Sequence, residues 1–74
     1  MDEATIRLRL GSVIRTHRES LGFSQDRFAD VIEMHRAYYG SIERGARNLT
    51  VATLSRVAAG LNVRPSQLLQ EAGA

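Results

Sequence analysis

Apolar residues recur along this chain at the three- and four-residue spacing of helices, and nowhere do they alternate as in strands. Ile6, Leu10, Val13 and Ile14 share one face of a helix predicted from about Ala4 to Leu21, with arginines elsewhere. Gly22 follows where a left-handed residue closes a helix. Ser24 is the N-cap of a second helix, with Asp26 in its first turn; Phe28 and Ile32 face inward, with Ala29 and Val31 beside them. A third helix runs from near His35 to Arg44-Gly45, with Tyr39 and Ile42 as its core side and the Tyr39 hydroxyl reaching the surface. After a loop over residues 46–49, Thr50 caps a fourth helix of about Val51 to Gly60, in which Val51, Leu54, Ala58 and Leu61 keep helical spacing. Asn62 tolerates left-handed geometry, and Arg64-Pro65 opens a fifth helix carrying Leu68 and Leu69. Residues 71–74 read as a frayed tail. The pattern predicts an all-α chain of five short helices in a single domain over residues 1–74, without repeats or linkers.

Composition narrows the chemistry. A domain of 74 residues buries only about 60–65% of the surface its unfolded chain exposes, so self-association is a common remedy. There is no cysteine, and His17 and His35 stand far apart without neighbouring ligands, so neither a disulfide nor a metal is expected. No cofactor is expected either. No apolar run approaches the roughly 18 residues a membrane span needs. The N-terminus is acidic where a signal peptide would be basic, so a cytoplasmic protein is expected. Nothing resembles catalytic machinery: there is no glycine-rich phosphate loop or metal cluster, and Asp26 and Asp30 read as a solvated helix face.

Charge is unevenly distributed. Residues 1–34 sum to −1, whereas residues 35–64 carry Arg36, Arg44, Arg47, Arg56 and Arg64 against Glu43 alone, a sum of +4. A basic stripe of this kind suits phosphate binding, and it starts at the third helix. The run from Ser24 to Gly45 reads as two short helices joined by a tight turn. A helix held in the major groove by a second helix across the backbone is a standard docking device. These features imply a sequence-specific binder of double-stranded DNA.

The same residues resemble the lambda-repressor-like helix-turn-helix family of the Cro/XRE type, bacterial and phage regulators. The likeness rests on Ser24-Gln25, Ala29, Ile42-Glu43-Arg44-Gly45, Arg47-Asn48, Leu54, and Pro65 through Leu68, covering about Leu10 to Leu69. Within the family, His35 to Tyr39 followed by Glu43 to Thr50 is similar to controller proteins of restriction–modification systems. The resemblance implies a compact five-helix fold with the helix-turn-helix at helices two and three, over residues 24–45. It departs at the turn, where the family usually has glycine and this chain has Glu33.

Roles follow from the likeness. Base contacts are expected from Arg36, Ala37, Tyr38 and Ser41; Arg36 is the best base reader, its fork matching a guanine edge. His35 is either a surface cap or a DNA contact. Phosphate contacts are expected from Gln25, which also braces the third helix in the family, and from Arg47, Asn48 and Thr50. Arg44 either contacts phosphate or caps its helix. Glu43, the single acid of the basic stripe, is expected to pair with Arg18 and tie the first helix to the third. Leu61, Val63, Leu68 and Leu69 are expected to form a homodimer contact, which would select a roughly palindromic operator. A regulator associated with the nucleoid is therefore the leading reading. The alternative is an antitoxin-like protein-interaction module that keeps the fold and binds DNA weakly or not at all.

Overall fold

Each helix in the computed structural model, which describes residues 1–74, ends on a device written in the local sequence, and all but the third also start on one. The elements are α1 (Glu3–Ser20), α2 (Gln25–Val31), α3 (Arg36–Glu43), α4 (Val51–Leu61) and α5 (Pro65–Glu71), with no strand. Asp2, Ser24 and Thr50 each accept a hydrogen bond from the backbone N–H three residues on, relieving unpaired donors at the starts of α1, α2 and α4. Pro65 opens α5, where its missing N–H costs nothing.

All five helices close with the same pair of bonds. The N–H groups of Phe23, Met34, Ala46, Val63 and Ala74 reach back five residues, to Arg18, Ala29, Ser41, Ala58 and Leu69. The residue before each reaching N–H takes a positive φ, and at two of these closures it is not glycine: Glu33 (φ 55°) and Asn62 (φ 59°). The turn into α3 thus keeps its expected shape, with Glu33 bearing the left-handed strain that glycine avoids.

The core gathers residues from every helix: Leu10 and Ile14 of α1, Phe28 and Ala29 of α2, Tyr39 and Ile42 of α3, Leu54, Val57, Ala58 and Leu61 of α4, and Leu68 of α5. Helical spacing misassigned several positions. Val51 is 81% exposed because it is the first residue of α4 and projects beyond the core, while Val57 on the inner face is fully buried. Val31, in the last turn of α2, is likewise exposed. Leu61 and Leu68 are buried within the single chain and so are not available for a dimer contact. Residues 71–74 are no frayed tail. Glu71 ends α5, Ala72 is buried, and the Glu71 carboxylate lies 2.7 Å from His17 Nε2 and accepts from Gln67 at 3.0 Å.

α1 and the C-terminal end of α3 press directly together. A Cβ built on Gly11 would lie 2.5 Å from the Glu43 carbonyl oxygen, and one on Gly45 would lie 2.8 Å from Leu8 Cα. Two glycines therefore let α3 end against the α1 backbone. No helix is long and apolar enough to cross a membrane.

Candidate nucleic-acid interface

Glu43 is the anchor of α3. Its carboxylate accepts from Arg18 Nε at 2.7 Å and Arg18 Nη2 at 3.0 Å, from Gln25 Nε2 at 3.1 Å, and from the Tyr39 hydroxyl. Arg18 donates its remaining nitrogen to the Phe23 carbonyl at 2.8 Å. Three helices thus converge on one buried carboxylate. Burial pushes the Glu43 carboxyl up, but the hydrogen bonds from Arg18, Tyr39 and Gln25 outweigh it and hold the group below its ordinary value. Burial and the neighbouring carboxylate push the Tyr39 phenol well up. Its hydroxyl is therefore an interior donor and does not reach the surface as the spacing suggested. The sequence places Tyr39 one helical turn before Glu43, so both point into the same interior corner.

With that end fixed, α3 presents its N-terminal turn outward. His35, Arg36 and Ala37 are exposed and Tyr38 is half-buried. His35 takes the N-cap position but its side chain makes no capping bond, which sets aside the cap as its structural role. The Arg36 guanidinium is paired: Nη2 donates to Asp30 Oδ2 at 2.8 Å and Nε to Asp30 Oδ1 at 3.3 Å, while Nη1 lies 3.7 Å from Asp26. The solvated acidic face expected of α2 thus converges on the leading base-contact candidate. The hydrogen bond from Arg36 holds the Asp30 carboxyl below the usual carboxylate range.

Ser41 does not join this face. It points outward from the core by helical geometry, yet it is only 6% exposed because the chain after α3 folds back over it. Its hydroxyl donates to the Tyr38 carbonyl and accepts from Arg47 Nε at 3.3 Å. Arg47, itself exposed, stands over that spot with its guanidinium 5.3 Å from the centre of the Tyr38 ring, a cation–π stack. The group available to a ligand there is Arg47, not Ser41.

The flanking candidates fall into two groups. Gln25 and Arg44 lie together: the Cβ position of Gly40 is 3.3 Å from Gln25 Oε1 and 3.2 Å from Arg44 Nη1. Arg44 has no carboxylate partner. On the other side, Asn48 Oδ1 accepts from Arg7 at 2.9 Å, which leaves the Asn48 amide nitrogen free to donate. The Thr50 hydroxyl is spent on Thr53, but the first N–H groups of α4 that follow it have no acceptor within the helix. Sequence reasoning passed over Arg7, which also donates to the Gly45 carbonyl at 3.3 Å and so holds the loop after α3 against α1. Its only signal was a cation on the first helix facing a turn it could not be known to meet. Of the dimer candidates, Val63 and Leu69 remain half-buried at the surface; Leu69 lines a groove of about 580 Å³ with Ile6, Leu49 and Leu54.

Comparison with known proteins shows the family and the fold. A helix-turn-helix family model matches residues 14–68. The control protein C.MunI of a Mycoplasma species is 37% identical over 67 residues, which cover 89% of this chain and 90% of that protein. The restriction–modification controller protein C.AhdI from Aeromonas hydrophila superposes with a TM-score of 0.78 at 31% identity, over 82% of this chain and 92% of that one. The restriction–modification controller protein C.Esp1396I, solved as a tetramer in complex with its natural 35 base-pair operator, superposes with a TM-score of 0.78 at 29% identity, over 93% and 96% of the two chains. The chain belongs to the helix-turn-helix family of the Cro/XRE type, a family of DNA-binding transcriptional regulators.

Proposed function

We propose that this chain is a sequence-specific regulator that lays α3 in the major groove as a homodimer on a roughly palindromic operator, in the manner of a restriction–modification controller. The observation that carries this reading is the division of α3. Its C-terminal end is locked inside by Glu43, and its N-terminal turn, bearing Arg36, Ala37 and the edge of Tyr38, is offered to solvent. An α-helix enters the major groove by such an end, with the first residues against base edges.

In this reading Arg36 reads a guanine edge, Ala37 offers its methyl to a thymine, and His35 and Tyr38 flank them. Arg44 and Gln25 hold the phosphates on one side; Arg47, Asn48 and the first amides of α4 hold those on the other. Val63 and Leu69 are the remaining apolar side chains for a two-fold contact near α5. The domain acts as one helix-turn-helix unit over residues 1–74, in the cytoplasm and associated with the nucleoid. It is a binding protein, not an enzyme.

Selection of bound duplexes from a random library tests the reading, at about 0.15 M salt with competitor DNA so that phosphate binding alone is weakened. One enriched motif with two-fold symmetry is the expected result. Absence of any enriched motif at concentrations where the protein self-associates would overturn it, in favour of a protein-interaction module.

A further inference from the structure

The Arg36 guanidinium has two edges able to form paired hydrogen bonds. The edge made by Nε and Nη2 is taken up by both oxygens of Asp30, at 3.3 and 2.8 Å. The other edge, made by Nη1 and the second hydrogen of Nη2, carries no hydrogen bond; the nearest carboxylate, Asp26, is 3.7 Å from Nη1. A guanine needs one paired edge for its O6 and N7. The structure therefore holds Arg36 by the edge that base reading does not require and leaves the other edge without a hydrogen bond, with only the longer ion-pair contact of Asp26 beside it.

Two further features bear on what this contact does. Arg36 and Asp30 have side chains 58% and 50% exposed, and exposed pairs of this kind contribute little to folding. Arg36 is also the first residue of α3, where the positive end of the helix dipole disfavours a cation, and the first turn of α3 contains no acid. Asp30 supplies the missing negative charge from the neighbouring helix. A free arginine at this place would sample many rotamers and would meet any phosphate; one held by Asp30 points one way, and the adjacent carboxylate repels phosphate.

We propose that Asp30 is a positioning residue for base reading: it fixes the guanidinium plane of Arg36 for a guanine edge and suppresses non-specific phosphate contact by the same side chain. The proposal rests on the base-reading role given to Arg36 above. Asp26 is the internal control, since it lies four residues away on the same helix and carries the same charge, without a hydrogen bond to Arg36.

The test measures dissociation constants by fluorescence anisotropy for three kinds of duplex: the selected operator, operators changed one base pair at a time, and an unrelated sequence. Wild type, Asp30→Asn, Asp26→Asn, Arg36→Ala and the Asp30→Asn/Arg36→Ala double variant are compared. The base pair at which Arg36→Ala loses discrimination marks the contact. Asp30→Asn is expected to lose about tenfold discrimination at that base pair, toward the lower end of what one paired contact is worth, while binding unrelated DNA as well as wild type or better. Asp26→Asn is expected to raise affinity for all duplexes by one common factor and keep the discrimination. In the Arg36→Ala background, Asp30→Asn is expected to change nothing at that base pair.

Retained discrimination in Asp30→Asn overturns the assignment, as does equal strengthening on every duplex, which would make Asp30 a mere competitor for Arg36. The same loss in the Arg36→Ala background also overturns it, because Asp30 would then act through another group. If Arg36→Ala alters discrimination at no base pair of a selected operator, the base-reading role of Arg36 fails and the assignment falls with it; that result is distinct from a defect confined to Asp30→Asn.

Discussion

Replacing Glu43 by glutamine keeps the shape of the side chain and removes its charge, and the surroundings make that change severe. Glu43 accepts from Arg18 on both oxygens, from Gln25 on one and from the Tyr39 hydroxyl on the other. An amide nitrogen at either oxygen position would meet an Arg18 donor, so no rotation of glutamine satisfies the site. The Arg18 and Glu43 side chains are 9% and 3% exposed, so water cannot replace the lost partner. Breaking such a pair typically costs about 3–5 kcal/mol. A chain of 74 residues has a total stability of roughly 4–11 kcal/mol at ordinary values per residue. Glu43→Gln should therefore lower the melting temperature by at least about 12 °C, at about 4–8 °C per kcal/mol for a domain this small. Urea unfolding followed by circular dichroism at pH 7 measures the loss directly. The companion variant Arg18→Met/Tyr39→Phe/Glu43→Leu removes charges and the hydroxyl together. It should recover most of the stability, because the groups that lose a partner, the Gln25 amide and the Phe23 carbonyl, belong to half-buried residues within reach of water. A loss below about 1 kcal/mol for Glu43→Gln, or a triple variant as unstable as the single one, would refute the desolvation argument.

Three other outcomes follow from the same structure. Gly11→Ala places a methyl against the Glu43 and Ile42 carbonyl oxygens, 2.5 and 2.7 Å from its ideal position, and backbone atoms cannot move aside cheaply. It should cost about 1–3 kcal/mol in urea unfolding and displace α3 enough to weaken operator binding, whereas Ser12→Ala beside it should do neither. Glu33→Gly relieves a positive φ and should stabilise the fold by up to about 1 kcal/mol after the entropic cost of glycine, read as a higher urea midpoint; a lower midpoint would show that the turn is unstrained. Acid should destabilise the fold in a specific window. The Glu43 carboxyl is held below its ordinary 4.5 when folded, so its contribution is fully present above pH 4.5 and is lost as pH falls through the folded value. The urea midpoint should decline more steeply below pH 4.5 in wild type than in the triple variant; identical slopes would argue against a role for the carboxylate in acid stability.

Much of the fold could be read without coordinates, because helix signals are local. Ser24 and Thr50 cap the helices they precede, and Asn62 is left-handed, as short-range hydrogen bonding and backbone sterics dictate. Pairwise spacing located Tyr39 and Ile42 on the inner side of α3. Spacing was less reliable where a helix face runs past the core, as at Val51, or where a neighbouring segment covers an outward residue, as at Ser41. A helical wheel reports direction around one axis, whereas burial depends on what lies in that direction.

The sequence by itself determined five helices, the caps at Ser24 and Thr50, the closures at Gly22, Gly45 and Asn62, the basic character of residues 35–64, and the helix-turn-helix run with its candidate readers. These properties depend on residues within one or two turns of each other or on composition. Only the tertiary structure decided how charges from separate segments combine. It turned Glu43 into a four-donor hub for α1, α2 and α3, and brought the Asp30 and Asp26 acids of the negative half onto Arg36 of the positive half. It also placed Leu61 and Leu68 inside the chain and left Val63 and Leu69 at its surface. The physical reason is range. Backbone hydrogen bonding is settled by neighbours along the chain, but the energy of a carboxylate or a leucine depends on atoms that packing brings within about 4 Å from distant segments.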